Sequence, residues 1–490
     1  MKITKLIGDI RYQWILVLVF ISGIGFFSVY TASPGHVWGD DFAMYLSHAR
    51  NISEGRAYDD TGLILNEFAP TYSPQNYPPG FPLVLAPVYS ITGLDFYKLK
   101  IFIICWFLLL LWLIWIYFKD KIPFSWLIVI LLIVGLSPFF RDQKENILAD
   151  FPAACFILLV FIMDEKRRLT PGRYFRLLLF ALVIWFGSAI RVTGFLVLPA
   201  ILLFELIQFK RISRDTILVT CMVVGLMIIQ NLIMPSSNYL NILFSELGKH
   251  SPNVIADNAF GRANNYIRSF TNVTHLTFIT RLNTNLNELV FWIFHVTAAA
   301  GFYKKVSNKF SPVDLFVVFY MLLIFVFPGY QGTRYLIPII PLFFYYSMYC
   351  LQGMKVKWVS RSLIGVSLIC LTFIYIDDHN RMSRQEIPFG VQSNEANETF
   401  QFIRENSPKD AVVMCTKPRA FCLFTDRNGV VFPDAEFKDQ MLNLIKRENV
   451  FYVVTGRFDY YGYIKEEINA NPEMFQQMLS NDLYTIYQVK

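Results

Sequence analysis

Apolar runs about as long as a bilayer is thick recur along this chain, and nothing else limits its folding as strongly. A hydrocarbon core of ~30 Å takes about 20 helical residues to cross. Backbone polar groups in lipid must be satisfied within their own segment, so each run reads as a helix. The runs fall at 14–29, 99–118, 125–140, 147–163, 175–189, 194–209, 216–234, 286–302, 313–327, 335–351 and 359–376. Roughly eleven spans are therefore expected. A chain of 490 residues that is 54% hydrophobic and only 17% charged is not an ordinary water-soluble protein. The first run follows Lys2, Lys5 and Arg11 and lacks a small-residue cleavage site, so it is expected to stay as a helix.

Charge orients the spans. With the N-terminus in the cytoplasm, the inside loops carry Lys119/Lys121, Lys166/Arg167/Arg168/Arg173/Arg176, Lys210/Arg211/Arg214, Lys304/Lys305/Lys309 and Lys355/Lys357/Arg361. That is the pattern of the positive-inside rule. The long loops 31–98 and 235–285 fall outside, and an odd number of spans sends 377–490 outside as well. The expected location is a bacterial inner (plasma) membrane, with a cytoplasmic N-terminus and an extracytoplasmic C-terminal part. The net charge of +7 is scattered over short loops without a basic stripe, which argues against a nucleic-acid partner.

Residues 1–376 read as the membrane region, with outer loops at 31–98 and 235–285. The second loop is rich in Asn and has the character of a lid or substrate loop. Residues 377–490 lose the long runs. Helical spacing at 395–405 and 437–448, with strand-like runs at 411–415, 421–424 and 450–455, predicts a small soluble α/β domain. Five of the seven cysteines lie in apolar runs and read as packing residues. Cys415 and Cys422 fall in the outer domain, where a hairpin disulfide and two half-buried thiols both fit the sequence. The scattered histidines read as surface or interfacial residues, with no zinc spacing among them.

Several charged groups cluster at the outer ends of the spans. Asp40 and Asp41 follow the first span and open a helix whose apolar face includes Phe42, Tyr45, Leu46 and Ala49. An Asp there caps a helix. Capping needs only one carboxylate, and a carboxylate can also take the proton of a hydroxyl as it attacks a carbon centre. Asp40 is favoured as that base. Arg141, Glu145 and Asp150 lie where the third run gives way to the fourth, Asp150 about one turn inside the helix that follows. A charge there is costly unless paired or used, and an ion pair of Asp150 with Arg141 or Arg191 is the structural alternative. Arg191 and Arg334-Tyr335 fall on the same side. A guanidinium grips phosphate through two parallel hydrogen bonds, although arginines near a membrane also snorkel to headgroups. Tyr77-Pro78-Pro79-Gly80 reads as a rigid turn from loop to helix and as a segment returning over the site.

In this order, Asp40-Asp41, the surface helix, Tyr77-Pro78-Pro79-Gly80, the central Asp150 of Ile147–Pro152 and Arg334-Tyr335-Leu336-Ile337-Pro338 resemble the GT-C superfamily of polyprenyl-phosphate-sugar-dependent glycosyltransferases. The likeness is to the protein O-mannosyltransferase and aminoarabinose transferase (ArnT-like) group, and it covers most of residues 1–345. That group usually has Asp-Glu at 40–41. Aminoarabinose transferases have Lys-Pro-Pro at 77–79, with the Lys associated with the lipid phosphate, so Tyr77 counts against an aminoarabinose donor.

The resemblance implies a polytopic α-helical membrane protein of GT-C type with a small C-terminal α/β domain. It also implies an inverting glycosyltransferase that moves a sugar from a polyprenyl-phosphate donor to an acceptor hydroxyl of a lipid, glycan or protein of the cell envelope. Asp40, Asp41 and Asp150 are the expected catalytic group. Tyr77, Pro78, Pro79, Arg141, Glu145, Arg191, Arg334 and Tyr335 are the expected substrate-binding residues. No cofactor is required; some relatives use a divalent cation, for which Asp41, Glu145 and Asp150 are candidate ligands. The C-terminal domain is expected to help select the acceptor without entering the chemistry. The alternative function is a transporter or flippase for lipid-linked sugars or other solutes. Such a protein would carry ionisable or helix-breaking features near mid-membrane in two related halves, and no such halves are visible.

Overall fold

The computed structural model describes residues 10–169, 174–235, 251–270, 284–327, 330–353 and 389–490, except Phe458 and Tyr460, together with a few single positions between these ranges. Its N-terminal part is a bundle of apolar helices. Among the described residues four are long and apolar enough to cross a membrane: Tyr12–Tyr30, Phe96–Phe118, Val192–Phe209 and Arg214–Ile233. Four more apolar helices are shorter, Gly80–Thr92, Phe124–Leu136, Tyr174–Ile190 and Pro312–Val326. The helices Asp150–Leu169, Thr284–Asn308 and Ile340–Gln352 join them. The expected run at 359–376 lies almost wholly outside the described residues.

Two runs read as continuous spans are interrupted. The run at 125–140 stops at Leu136, because Pro138 has no amide proton to continue the ladder and instead starts a second helix, Pro138–Gln143. The run at 194–209 opens with a tighter 3₁₀ turn over Val192–Leu196 before the α-helix Val197–Phe209. The first long loop contains a helix that the hydropathy pattern did not separate, Gly80–Thr92. Gly80 has to be glycine for space. A Cβ there would sit 2.5 Å from the backbone of Ala189 and Ile190, so the helix packs directly against the end of Tyr174–Ile190.

The C-terminal part is a five-stranded sheet of β1 (Val412–Cys415), β2 (Asn428–Val430), β3 (Val450–Gly456), β4 (Phe475–Ser480) and β5 (Tyr484–Val489), in the order β2-β1-β3-β5-β4. β1 runs parallel to β2 and β3; β5 runs antiparallel to β3 and β4. The helices Asn394–Asn406, Pro418–Thr425, Met441–Arg447 and Tyr463–Ala470 accompany it. The strand expected at 421–424 is helical instead: Pro418 opens a short helix, with Phe421, Cys422 and Leu423 buried on it. The helix expected at 437–448 is a 3₁₀ segment followed by Met441–Arg447. Cys415 and Cys422 are both buried and both free thiols. Tyr463 is buried, its hydroxyl bonded to the Pro433 carbonyl at 2.6 Å, so it packs within the domain.

The domain is stitched to the first long loop by backbone hydrogen bonds. Ile64 N donates to Gly429 O at 2.8 Å and Gly429 N to Gly62 O at 2.9 Å, so the loop extends the sheet beside β2. Val391 N donates to His36 O at 3.0 Å, Asp434 N to Phe68 O at 3.0 Å and the Asn66 amide to Val431 O at 3.0 Å. The ring of Trp38 packs among Phe400, Phe421 and Tyr484. Loop and domain therefore form one cover over the end of the bundle that carries Asp40.

Candidate functional site

Asp40 and Asp41 stand where that cover meets the bundle, and they do different things. Asp40 occupies the N-cap position of the helix Asp41–Glu54, yet its side chain makes no capping bond. Its carboxylate turns toward the C-terminal domain, where Oδ1 accepts from Ala420 N at 3.3 Å. Oδ2 lies 3.7 Å from Arg419 Nη1 and is buried without a hydrogen-bond partner among the described residues. Asp41 is fully engaged. Oδ1 accepts the Tyr77 hydroxyl at 2.6 Å, and Oδ2 accepts from Arg334 Nη2 at 2.5 Å.

The environment separates the two carboxyls electrostatically. Burial pushes Asp40 above the usual carboxylate range, and the positive charges of Arg419 and Lys417 offset this only in part. Burial acts on Asp41 in the same direction, but Arg334, Arg419 and the Tyr77 hydrogen bond outweigh it and hold Asp41 well below that range. One carboxylate is thus a fixed anion and its neighbour is readier to take a proton, a division of labour that acid–base sites use.

Local sequence explains how the partners arrive. Pro78 and Pro79 are buried in the turn that leads into Gly80–Thr92, and this turn sets Tyr77 beneath Asp41. Arg334 lies in a 3₁₀ turn, Thr333–Leu336, entered through Gly332 at φ +83°, which a side-chain-bearing residue adopts only with strain. Arg334 also lines a cavity of about 430 Å³ together with Asp142, Gln143, Gln331 and Thr333.

A second group stands beside the first. Arg191 is ion-paired with Asp150, the structural alternative weighed for Asp150. The Arg191 guanidinium lies 4.0 Å from the centre of the Tyr335 ring, and Arg334 lies 5.7 Å from the same ring. Tyr335 therefore links the two arginines.

Glu145 belongs to a third cluster. Its Oε2 accepts from Lys100 Nζ at 2.8 Å and from the Ser33 hydroxyl at 2.9 Å, and its Oε1 is bonded to Lys144. Lys100 and Lys144 are both buried. Burial pushes the Glu145 carboxyl up, but the two lysines outweigh it and bring it to about 2. Arg141 is buried nearby in the chain, with Nη1 unpartnered among the described residues.

The three carboxylates considered for a cation do not converge. Asp41, Glu145 and Asp150 each answer to their own Arg or Lys, and among the described residues no three His, Cys, Asp or Glu side chains are grouped as a metal site. His36 and His48, expected at a surface, are buried.

Sequence reasoning missed Arg419, Ala420, Lys100 and Lys144. Lys100 is a charge inside an apolar run, a signal that could have been used. Arg419 gave no signal, because nothing local ties it to Asp40, 379 positions earlier.

No family model and no curated protein matches the chain. Solved structures do, at the level of fold. ArnT from Cupriavidus metallidurans bound to undecaprenyl phosphate aligns with a TM-score of 0.60 over 98% of both chains at 10% identity. The archaeal oligosaccharyltransferase AglB from Archaeoglobus fulgidus, in complex with an inhibitory peptide and a dolichol-phosphate, aligns at 0.58 over 94% of this chain and 72% of that one, at 12% identity. The arabinofuranosyltransferase AftD from Mycobacteria aligns at 0.52 over 98% of this chain and 40% of that one, at 10% identity. The chain therefore shares the fold of these structures, a bundle of apolar helices with a C-terminal α/β domain.

Proposed function

We propose that this protein is an integral-membrane inverting glycosyltransferase that uses a polyprenyl-phosphate-linked sugar. The observation that carries the reading is Asp40 Oδ2, a buried carboxylate oxygen without a hydrogen-bond partner among the described residues, 3.7 Å from Arg419 Nη1 at one end of a helical bundle of GT-C type. A buried acceptor atom costs free energy unless something bonds to it. An acceptor hydroxyl is the group that a general base would take there.

The reaction balances on the protein's own side chains. The hydroxyl gives its proton to Asp40, and its oxygen bonds to the anomeric carbon from the face opposite the phosphate. The bond from that carbon to the phosphate oxygen breaks, its electron pair stays on the oxygen, and polyprenyl phosphate leaves. Arg334 suits the leaving phosphate because it lines the cavity and its guanidinium keeps its charge there. Arg191 stands behind it through Tyr335 and supports its orientation. Asp41, held by Tyr77 and Arg334, keeps this arrangement in register.

The reading includes a topology: Asp40 and the C-terminal domain on the outer face of a bacterial inner membrane, and the N-terminus in the cytoplasm. It is supported by the helix Asp150–Leu169, which starts at the Arg191 ion pair and ends in Lys166, Arg167 and Arg168. The acceptor is a lipid, glycan or protein hydroxyl of the envelope. Deleting the gene and comparing masses of lipids, surface glycans and secreted proteins tests the reading. Loss of one sugar residue from an envelope component is expected, and an unchanged envelope would overturn the assignment.

A further inference from the structure

The C-terminal domain was expected to stand apart from the chemistry, yet it brings one of its arginines to both carboxylates. Arg419 opens the helix Pro418–Thr425 and reaches down to both carboxylates, 3.7 Å from Asp40 Oδ2 and 3.6 Å from Asp41 Oδ1. It is clamped from the loop side. Its Nη2 donates to Thr71 O at 3.0 Å, and its guanidinium lies 4.6 Å from the Tyr72 ring centre and 5.1 Å from that of Tyr77. The guanidinium is thus held by a carbonyl and two rings, short of hydrogen-bond distance from Asp40 Oδ2.

Two polar atoms of opposite kind are left over. Asp40 Oδ2 is an acceptor and Arg419 Nε a donor; both are buried, and neither has a hydrogen-bond partner among the described residues. Asp40 and Arg419 are 8% and 7% exposed. Each orphan carries a desolvation cost that a hydroxyl brought to it would relieve, by donating to the carboxylate or accepting from the guanidinium. Ala420 N, on Oδ1, leaves Oδ2 as the open oxygen.

We propose that Arg419 is the second half of the acceptor site: it holds the oxygen of the acceptor hydroxyl while Asp40 takes the proton. The inference rests on the glycosyltransferase reading above and deepens it. The C-terminal domain is then part of the active centre. Its anchoring to the first loop through Gly429, Val431, Asp434 and Val391 keeps Arg419 at a fixed height over Asp40. Arg419 touches the reacting oxygen only in the presence of acceptor, so its loss acts on transfer and not on the binding of the lipid phosphate.

The test uses the full-length chain returned to a strain lacking the gene. Sugar-sized mass increments on envelope components are counted per mole of inserted protein. Affinity for undecaprenyl phosphate, the probe for the donor side, is measured on purified protein in nanodiscs. Arg419→Ala is expected to lower transfer on the order of 10²-fold, as loss of a positioned reactant does, with undecaprenyl phosphate affinity unchanged. Guanidine at a non-denaturing concentration should restore part of the transfer in isolated membranes, which a merely structural role would not allow. Arg447→Ala removes the 2.6 Å ion pair with Glu67 at the same domain–loop interface and should leave transfer intact. Transfer by Arg419→Ala at the wild-type rate, beside an inactive Asp40→Asn, overturns this inference alone. Loss of transfer together with undecaprenyl phosphate binding, without rescue by guanidine, also overturns it. If Arg419→Ala does not insert, Arg419→Gln carries the same criteria. Full transfer by Asp40→Asn would instead overturn the base assignment on which the inference stands.

Discussion

Arg334 and Asp41 meet at 2.5 Å although 293 residues separate them in the chain. The pair ties the end of the helical bundle to the start of the surface helix Asp41–Glu54. With Tyr77 on the other oxygen, both oxygens of Asp41 have partners, whereas Asp40 Oδ2 has none among the described residues.

Asp40→Asn should therefore reduce transfer by a factor on the order of 10²–10⁴, the usual worth of a general base. The amide keeps an oxygen for Ala420 N, so folding and binding of undecaprenyl phosphate should persist. Per-mole transfer in the complemented deletion strain measures this, and near-normal turnover would shift the assignment to Asp41.

The same substitution should make the protein more stable at neutral pH. Burial raises Asp40's carboxyl in the folded state, so between its unfolded value of about 3.9 and the higher folded value the native state binds more protons. Stability then falls as pH rises through that window, and Asn removes the fall. Melting temperatures across the acid-to-neutral range compare the two proteins. Equal slopes would mean that Asp40 carries no such cost. The acid limb of transfer in the wild type should likewise lie above the ordinary carboxylate range, because only ionised Asp40 accepts a proton.

Arg334→Lys should be poorly tolerated. A lysine is a point charge and cannot serve Asp41 and a phosphate with one planar fork. A weaker affinity for undecaprenyl phosphate is expected, together with lower transfer. Arg191→Lys should affect transfer with less change in that affinity, since Arg191 is bonded to Asp150. Unchanged affinity and transfer in both would reduce the arginines to packing.

Glu145→Gln should act on stability. It leaves Lys100 and Lys144 buried without their counter-charge, a loss of about 3–5 kcal/mol for a buried pair broken on one side. Thermal unfolding in detergent reads it, and a wild-type melting temperature would return Glu145 to the substrate-binding group.

A reporter active only outside the cytoplasm, fused after Lys490, should be active under the proposed topology, in which the basic loops lie inside and 377–490 outside. Activity of a cytoplasm-only reporter at that position would overturn the topology.

Membrane fold and helix locations were legible in the sequence because hydropathy is a local property. A run of apolar residues must become a helix in lipid whatever surrounds it. Asp40, Asp41, Tyr77 and Arg334 were legible as candidates for a related reason: charge and rigid turns at span ends are rare and costly. The sequence could not give their pairing. Whether Asp150 met Arg141 or Arg191, whether Glu145 faced a ligand or two lysines, and whether Asp40 capped a helix or faced another domain depend on which segments pack together. Phe421–Phe424 was misread because four apolar residues fit a strand as well as the buried face of a helix begun by Pro418. Residue types and spacing by themselves determined a bilayer-spanning helical chain with acids and arginines at its span ends. Only the tertiary structure decided that Arg419, whose neighbour Ala420 bonds Asp40 across 380 positions of chain, belongs to the site. The reason is physical: electrostatic and hydrogen-bond partners are selected by distance in space, and folding is what converts separation along the chain into that distance.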